Sequence, residues 1–158
     1  MSNQYIYTEL DTDRLYETLT MIRDVFMEFE APDYSQEGID EFLRFLEPDE
    51  IMEKLENKDL RIWVCEDSDE IVGAIAANEE HINLLFVAAN HHRKGIARQL
   101  LEVMKDNYQP STITVNSSPY AVEAYRKLGF NVTDTEQEIQ GIRYTPMKWD
   151  RGTVLLSC

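Results

Sequence analysis

The sequence is short of positive charge, of cysteine and of long apolar runs. Its 158 residues hold 15 Lys and Arg against 30 Asp and Glu, a formal net charge of −15. A free-standing nucleic-acid binder shows a basic face, so that class is disfavoured. Only two cysteines occur, Cys65 and Cys158, with neither paired nor zinc-like spacing, and a reduced, cytoplasmic protein is the simplest reading. No stretch approaches the roughly 18 apolar residues of a membrane-spanning helix. The start, MSNQYIYTEL, lacks the basic and apolar regions of a secretory leader. His91 and His92 are adjacent and no further ligand has sensible spacing, so no metal site is expected. Also absent are internal repeats, low-complexity tracts and Pro/Gly/Ser linkers. Residues 1–150 therefore read as one domain, followed by a tail, 151–158. What is present, 43% hydrophobic and 10% aromatic residues, suffices for a folded core.

The periodicities predict a mixed α/β order. Tyr5–Leu10 alternates as a strand. A helix capped by Asp11 or Thr12 runs to about Glu30, with Leu15, Leu19, Ile22, Val25, Phe26 and Phe29 on one face. Pro32 breaks it, and amphipathic helices follow over Gln36–Phe45 and Pro48–Leu55. Leu60–Glu66 and Ile71–Ala77 read as a hairpin, and His81–Val87 as a central strand covered on both faces. Helices are predicted over Gly95–Asn107 and Pro119–Leu128, the latter closed by Gly129. Strands are expected at Thr112–Val115, Phe130–Thr133, Glu136–Ile139 and Ile142–Trp149. The sum is a central mixed, largely antiparallel sheet of about seven strands, flanked by helices on both faces.

Charge is unevenly spread. Residues 1–80 carry 23 acids and 6 bases, a net of −17, whereas residues 81–158 carry 7 acids and 9 bases, a net of +2. Within the second half, Leu84–Leu101 (LLFVAANHHRKGIARQLL) runs from apolar strand to polar loop to amphipathic helix. It contains no acid, and Arg93, Lys94 and Arg98 supply three fixed positive charges. A helix start offers unpaired N–H groups and the positive end of the dipole. Gly95 lets a ligand approach the backbone, and Ala97 is almost as small. These features make an anion site suited to a diphosphate. Neither a Walker A loop nor G-x-G-x-x-G is present.

His92-Arg93-Lys94-Gly95-Ile96-Ala97, after an apolar strand and before a helix, resembles the signature [Q/R]-x-x-G-x-[G/A] of the Gcn5-related N-acetyltransferases (GNAT). His92 departs from the usual Gln or Arg. The likeness extends to Val115-Asn116, Ala121, Tyr125 and Lys127-Leu128-Gly129-Phe130, and covers about residues 60–148. It leaves residues 1–59 as the variable acceptor side and 60–150 as the cofactor-binding core with its C-terminal strands.

The resemblance implies acetyl-CoA as cofactor and acetyl transfer to a primary amine of a small molecule or protein. It implies that backbone groups of Leu85, Phe86 and Val87 pair with the pantetheine arm. Amides from Arg93, Lys94, Gly95, Ile96, Ala97 and Arg98 then hold the pyrophosphate, His92 adds a side-chain contact to the cofactor, Asn116 bonds pantetheine, and Tyr125 lies near the thioester sulfur. A homodimer fits the family, although no residue argues for it.

The chemistry explains these residue types. An ammonium must lose a proton before it attacks, and the expelled thiolate gains from a nearby acid. Tyr125 suits the second task, with a core aromatic as the alternative. Asn116 also fits a turn cap. For the first task His81, eleven residues before His92, is the candidate base, with Glu79 and Glu80 as rivals. Strand alternation would put His81, Asn83, Leu85 and Val87 on one face. Carboxylates and phenols at Glu28, Glu30, Asp33, Tyr34, Glu136, Glu138 and Tyr144 lean the acceptor toward a cation. The rival readings are a non-catalytic acyl-CoA-binding module on the same fold, and an interaction protein with an acidic face.

Overall fold

The computed structural model describes residues 4–151; Cys158 and the rest of the expected tail beyond Arg151 lie outside them. Elements are β1 (Tyr5–Glu9), α1 (Leu15–Val25), α2 (Gln36–Phe45), α3 (Pro48–Glu56), β2 (Arg61–Asp67), β3 (Glu70–Asn78), β4 (His81–Val87), α4 (Ile96–Tyr108), β5 (Thr112–Ser117), α5 (Val122–Lys127), β6 (Asn131–Val132), β7 (Gln137–Ile139) and β8 (Ile142–Asp150). The eight strands form one mixed sheet in the order β1-β2-β3-β4-β5-β8-β6, with β7 paired to β8. Every pairing is antiparallel except β4 with β5. Each of the eight stretches expected to be a strand is one, against a sheet expected to hold about seven, and the strand expected over Phe130–Thr133 shrinks to two residues.

The two faces have separate cores. Leu15, Leu19, Ile22 and Phe26 pack with Ile51, Ile62, Val64, Leu84 and Phe86 under α1–α3. Ile96, Leu100, Leu101 and Met104 pack with Val72, Ile75, Ile82, Tyr125 and Phe130 under α4 and α5. Alternation along β2 sends successive side chains to opposite cores. Gly73 lets α4 come close, because a Cβ there would sit 2.9 Å from Ile96 Cγ2. Phe26 is fully buried and stacks on Phe42 at 3.9 Å between centroids. Burial of a side chain of this size stabilises by about 1.5–3 kcal/mol.

Two irregularities position the site. Asp11 caps a 3-10 turn, Thr12–Arg14, with the Asp13 N–H donating to its carboxylate at 3.0 Å, and α1 continues from it at Leu15. Past Val25 it widens into a π turn, Phe26–Glu30. The extra residue changes the helix phase, so Phe26 stays in the core while Phe29 and Glu30 turn to the neighbouring cleft. Single π turns of this kind favour functional sites. The second irregularity is a bulge in β4. Ala76 pairs with Leu84 but Ala77 with Ile82, which leaves Asn83 as the extra residue. Ile82, Leu85 and Val87 consequently all pack on the α4 side, and Leu84 and Phe86 on the α1 side. The shared face expected for His81, Asn83, Leu85 and Val87 is thereby corrected: a bulge reverses the side-chain phase beyond it.

The C-terminal hairpin docks on the start of α2. A Cβ on Gly38 would run into the Gly141 carbonyl, and one on Gly141 would meet the Gly38 amide. Gly141 also has φ +83°, in the left-handed region. Arg143 donates to the Asp33 carbonyl at 3.1 Å and pairs with Glu136 at 2.7 Å. Backbone therefore meets backbone where β7 and β8 turn over the start of α2.

Candidate active site

Only His81–Thr114 and Ile82–Val115 are paired between β4 and β5. Beyond them the strands separate, and a cleft of about 770 Å³ opens toward α4 and α5. On one side its lining includes Leu85, Phe86 and Val87, then His92, Arg93, Gly95, Ile96, Ala97 and Arg98. The other walls come from α5 with Tyr125, from Tyr120 ahead of it, and from Val25, Phe29 and Glu30. A smaller groove of about 460 Å³, between Leu10, Leu55 and Arg61, holds none of the motif residues.

The floor of the cleft at the α4 end is backbone. Gly95 caps α4 with φ +80° and offers no side chain to the first turn. The helix-starting N–H groups are therefore open to a ligand. Left-handed Gly95 followed by right-handed residues gathers successive N–H groups into one concavity. Arg93 is also left-handed, at φ 65°. Such a conformation costs a non-glycine residue on the order of 1 kcal/mol and is found at ligand sites. A Cβ built on Gly95 would have no atom within 4 Å. That space is open and Gly95 itself lines the cleft, so the backbone leaves room for a diphosphate.

Side chains around the cradle are partly committed elsewhere. His92 donates through Nε2 to the Val87 carbonyl at 2.7 Å, which ties the loop back to β4. His91 sits 3.0 Å from Asp67 through Nε2 and 2.9 Å from Asn90 through Nδ1. That contact with His91 holds the Asp67 carboxyl below the usual range. Arg98 donates to the Lys127 carbonyl at 2.9 Å, at the negative end of α5, and so joins the two walls. Arg93 and Lys94 are exposed, and neither makes an ion pair among the described residues.

Tyr125 is buried and meets Phe130 edge-on at 5.4 Å. Burial, and next the charge of Glu30, push its phenol above the ordinary value. Glu30 is itself unusual. Burial raises its carboxyl to about 7, Asp33 adds to the rise, and the Ser118 hydroxyl opposes it. Ser118 Oγ is buried without a geometrically complete hydrogen bond among the described residues.

The cleft thus unites ten of the thirteen residues singled out from the sequence. Lys94 points to solvent. Asn116 is exposed on β5, opposite Pro146, and does not line the cleft. His81 does not line it either: it sits at the closed end of the β4–β5 gap, with Nδ1 2.8 Å from Thr114 Oγ1. Desolvation lowers its pKa. The wall formed by Phe29 and Tyr120, with ring centroids 5.3 Å apart, was not legible. Glu30 was visible only as one acid among several on the acceptor side, and the π turn that aims it carries no sequence signal.

Residues 30–151 match the acetyltransferase (GNAT) domain, and the chain belongs to that family of acyl-transferring enzymes. Its fold is shared with a GCN5-related N-acetyltransferase from Rhodopseudomonas palustris, at TM-score 0.80 and 16% identity over 95% of this chain and 98% of that one. The PaiA N-acetyltransferase from Thermoplasma acidophilum, in complex with coenzyme A, superimposes at TM-score 0.76 with 19% identity, over 95% and 99% of the two chains. A spermidine N-acetyltransferase chimera from Vibrio cholerae does so at 0.65 with 17% identity, over 98% and 99%. No curated protein sequence matches the chain. Among the described residues no helix is long and apolar enough to cross a membrane.

Proposed function

We propose that the protein transfers an acetyl group from acetyl-CoA to a primary amine, by direct attack within a ternary complex. The observation that carries this reading is the juxtaposition of three features in one cleft: a β4 edge without a β5 partner, an uncapped α4 start and a buried tyrosine. Family membership and the coenzyme A bound to the PaiA relative support the choice of cofactor. When bound, acetyl-CoA supplies an activated thioester carbonyl and a thiol leaving group.

The chain's own residues do the rest. Free backbone groups of Leu85–Val87 hold the pantetheine arm as a substitute strand. The amides from Arg93 to Arg98 hold the pyrophosphate, with the Arg93 and Lys94 charges nearby. The Tyr125 hydroxyl, still protonated at neutral pH, hands its proton to the departing sulfur. On ordinary values that transfer is uphill by about 2 kcal/mol, and the raised phenol adds to it, so hydrogen bonds in the site must offset the difference. Cys65 is fully buried, and desolvation raises its thiol, which disfavours a covalent acyl-cysteine route.

The test is a panel of primary amines assayed for acetyl-CoA-dependent thiol release, with Tyr125→Phe beside the wild type. Turnover should fall about 100-fold in the variant while acetyl-CoA affinity, measured by calorimetry, stays the same. Unchanged turnover removes Tyr125 from the mechanism. Tight acetyl-CoA binding with no amine acetylated supports the non-catalytic binding module instead.

A further inference from the structure

We propose that Glu30 receives the acceptor's ammonium group and takes its proton, which makes the acceptor an alkylammonium ion. The proposal rests on the acetyl-transfer reading above and assigns the proton acceptor and substrate class of the same site. Four observations carry it. Glu30 lines the cleft together with Tyr125, on a π turn packed against the Pro119–Ala121 turn that leads into α5. Among the described residues no cation is paired with Glu30 (the nearby Arg143 is engaged by Glu136 and the Asp33 carbonyl). A partly buried carboxylate with no paired cation favours a cationic ligand. Phe29 and the half-exposed Tyr120 stand beside it, and such rings suit an apolar stem and a positive head. Last, the buried Ser118 hydroxyl lacks a complete hydrogen bond and opposes the upward shift of Glu30.

The titratable groups around Glu30 are Asp33 and Tyr34 on the following loop and Tyr125 on α5. Asp33 raises the Glu30 carboxyl, and the Glu30 charge in turn raises both tyrosines. This coupling links the two ends of the reaction. R–NH3+ gives one proton to the Glu30 carboxylate, which removes the charge that holds the Tyr125 phenol up. The freed lone pair forms the N–C bond to the acyl carbon as the C–S bond breaks. Sulfur keeps the bonding electrons and takes the Tyr125 proton. The nitrogen's second proton replaces the one Tyr125 gave, and Glu30 releases its own to solvent. One ammonium and one thioester become one amide, one thiol and one proton.

The closing experiment has a kinetic and a binding arm. In the kinetic arm, wild-type kcat/KM rises with pH to a plateau, with a limb near neutrality. Glu30→Gln loses that limb and about 100-fold in kcat/KM while acetyl-CoA affinity holds, and His81→Asn keeps the limb. A limb retained in Glu30→Gln and lost in His81→Asn overturns the proposal in favour of His81. The binding arm uses butyltrimethylammonium, which cannot be acetylated, and 13C-NMR titration of glutamate-labelled protein, with Glu30 assigned by its loss in the variant. The bound probe should move the Glu30 midpoint down by about one pH unit, and Glu30→Gln should bind it about tenfold more weakly, the two effects being linked. An unmoved midpoint overturns the proposal. Because this arm needs no turnover, it judges Glu30 even if no amine is acetylated and the acetyl-transfer reading itself fails.

Discussion

The two ends of the cleft are built by different means. At the α4 end the ligand surface is backbone: one glycine, a left-handed turn and the open amides of a helix start, all within Arg93–Arg98. At the other end it is side chains delivered from separate stretches: Phe29 and Glu30 on the π turn, Tyr120 on the Pro119–Ala121 turn and Tyr125 on α5. The β7–β8 hairpin braces the first of these from outside, through the Asp33 carbonyl and the start of α2. A backbone cradle depends on little more than where glycine and small residues stand in one short segment. An assembled wall depends on every contact that brings its pieces together. The first should fail by a single local obstruction, the second by any displacement of its parts.

Gly95→Val is the sharpest way to break the first end, and its effect should be the largest. The new side chain enters space that no protein atom occupies within 4 Å of the Cβ, where the pyrophosphate would sit. Charge-assisted hydrogen bonds are each worth about 1.5–3 kcal/mol, so displacing the phosphates from two of them weakens acetyl-CoA binding about 10³-fold. The φ of +80° also strains a β-branched residue, by roughly 1–2 kcal/mol. Calorimetry should thus show binding lost from a protein whose circular dichroism is unchanged. Near-normal affinity would mean that the cradle is not where the cofactor binds.

Gly38→Ala strikes the other end and should cost less. Its Cβ meets backbone, the Gly141 carbonyl, which cannot swing aside as a flexible side chain would. The hairpin must shift, and with it the Arg143 hydrogen bond to the Asp33 carbonyl. Overpacking of this kind costs about 1–3 kcal/mol. The thermal midpoint should fall, KM for the amine should rise about tenfold as the wall moves, and acetyl-CoA affinity should not change. Equal losses at both ends would show that the cleft responds as one unit.

The same contrast explains what the sequence disclosed. Gly95, Ala97, Tyr125 and the helix-closing Gly129 were legible because each does its work within a few residues of its neighbours. Gly129 has φ +101° at the end of α5, as a helix-terminating glycine requires. His81 was misplaced because alternation assumes an unbroken strand, and the bulge at Asn83 has no marker such as glycine. The two-residue β6 in place of Phe130–Thr133 has a similar origin: Phe130 is drawn into the core beside Tyr125 rather than into a strand. Glu30 was one of 23 acids in the first 80 residues. Only the π turn separates it from its neighbour Glu28, which stays exposed.

Glu30→Gln gives the one effect expected to be a gain, and the cleanest sign. In the unfolded chain a glutamate titrates near its ordinary value of 4.5; in the folded protein burial moves Glu30 to about 7. Below the lower value both states hold the proton, and Glu30 does not weaken the fold. Between the two values the unfolded state releases its proton first, so stability falls as pH rises. Above about 7 the loss is complete and constant, on the order of 2–3 kcal/mol. Glutamine has nearly the same shape and no charge, so it imitates the protonated form. The variant should match the wild type near pH 4.5, gain on it through neutrality, and be more stable by that amount at pH 8, read as the difference in denaturant midpoints. This gain runs opposite to the loss of turnover expected of the same substitution. A residue that weakens the fold while lining a cleft is the pattern of a group kept for chemistry rather than for packing. If the two proteins stay equally stable from pH 4.5 to 8, Glu30 is ordinarily solvated, and the acceptor end loses the feature that sets it apart.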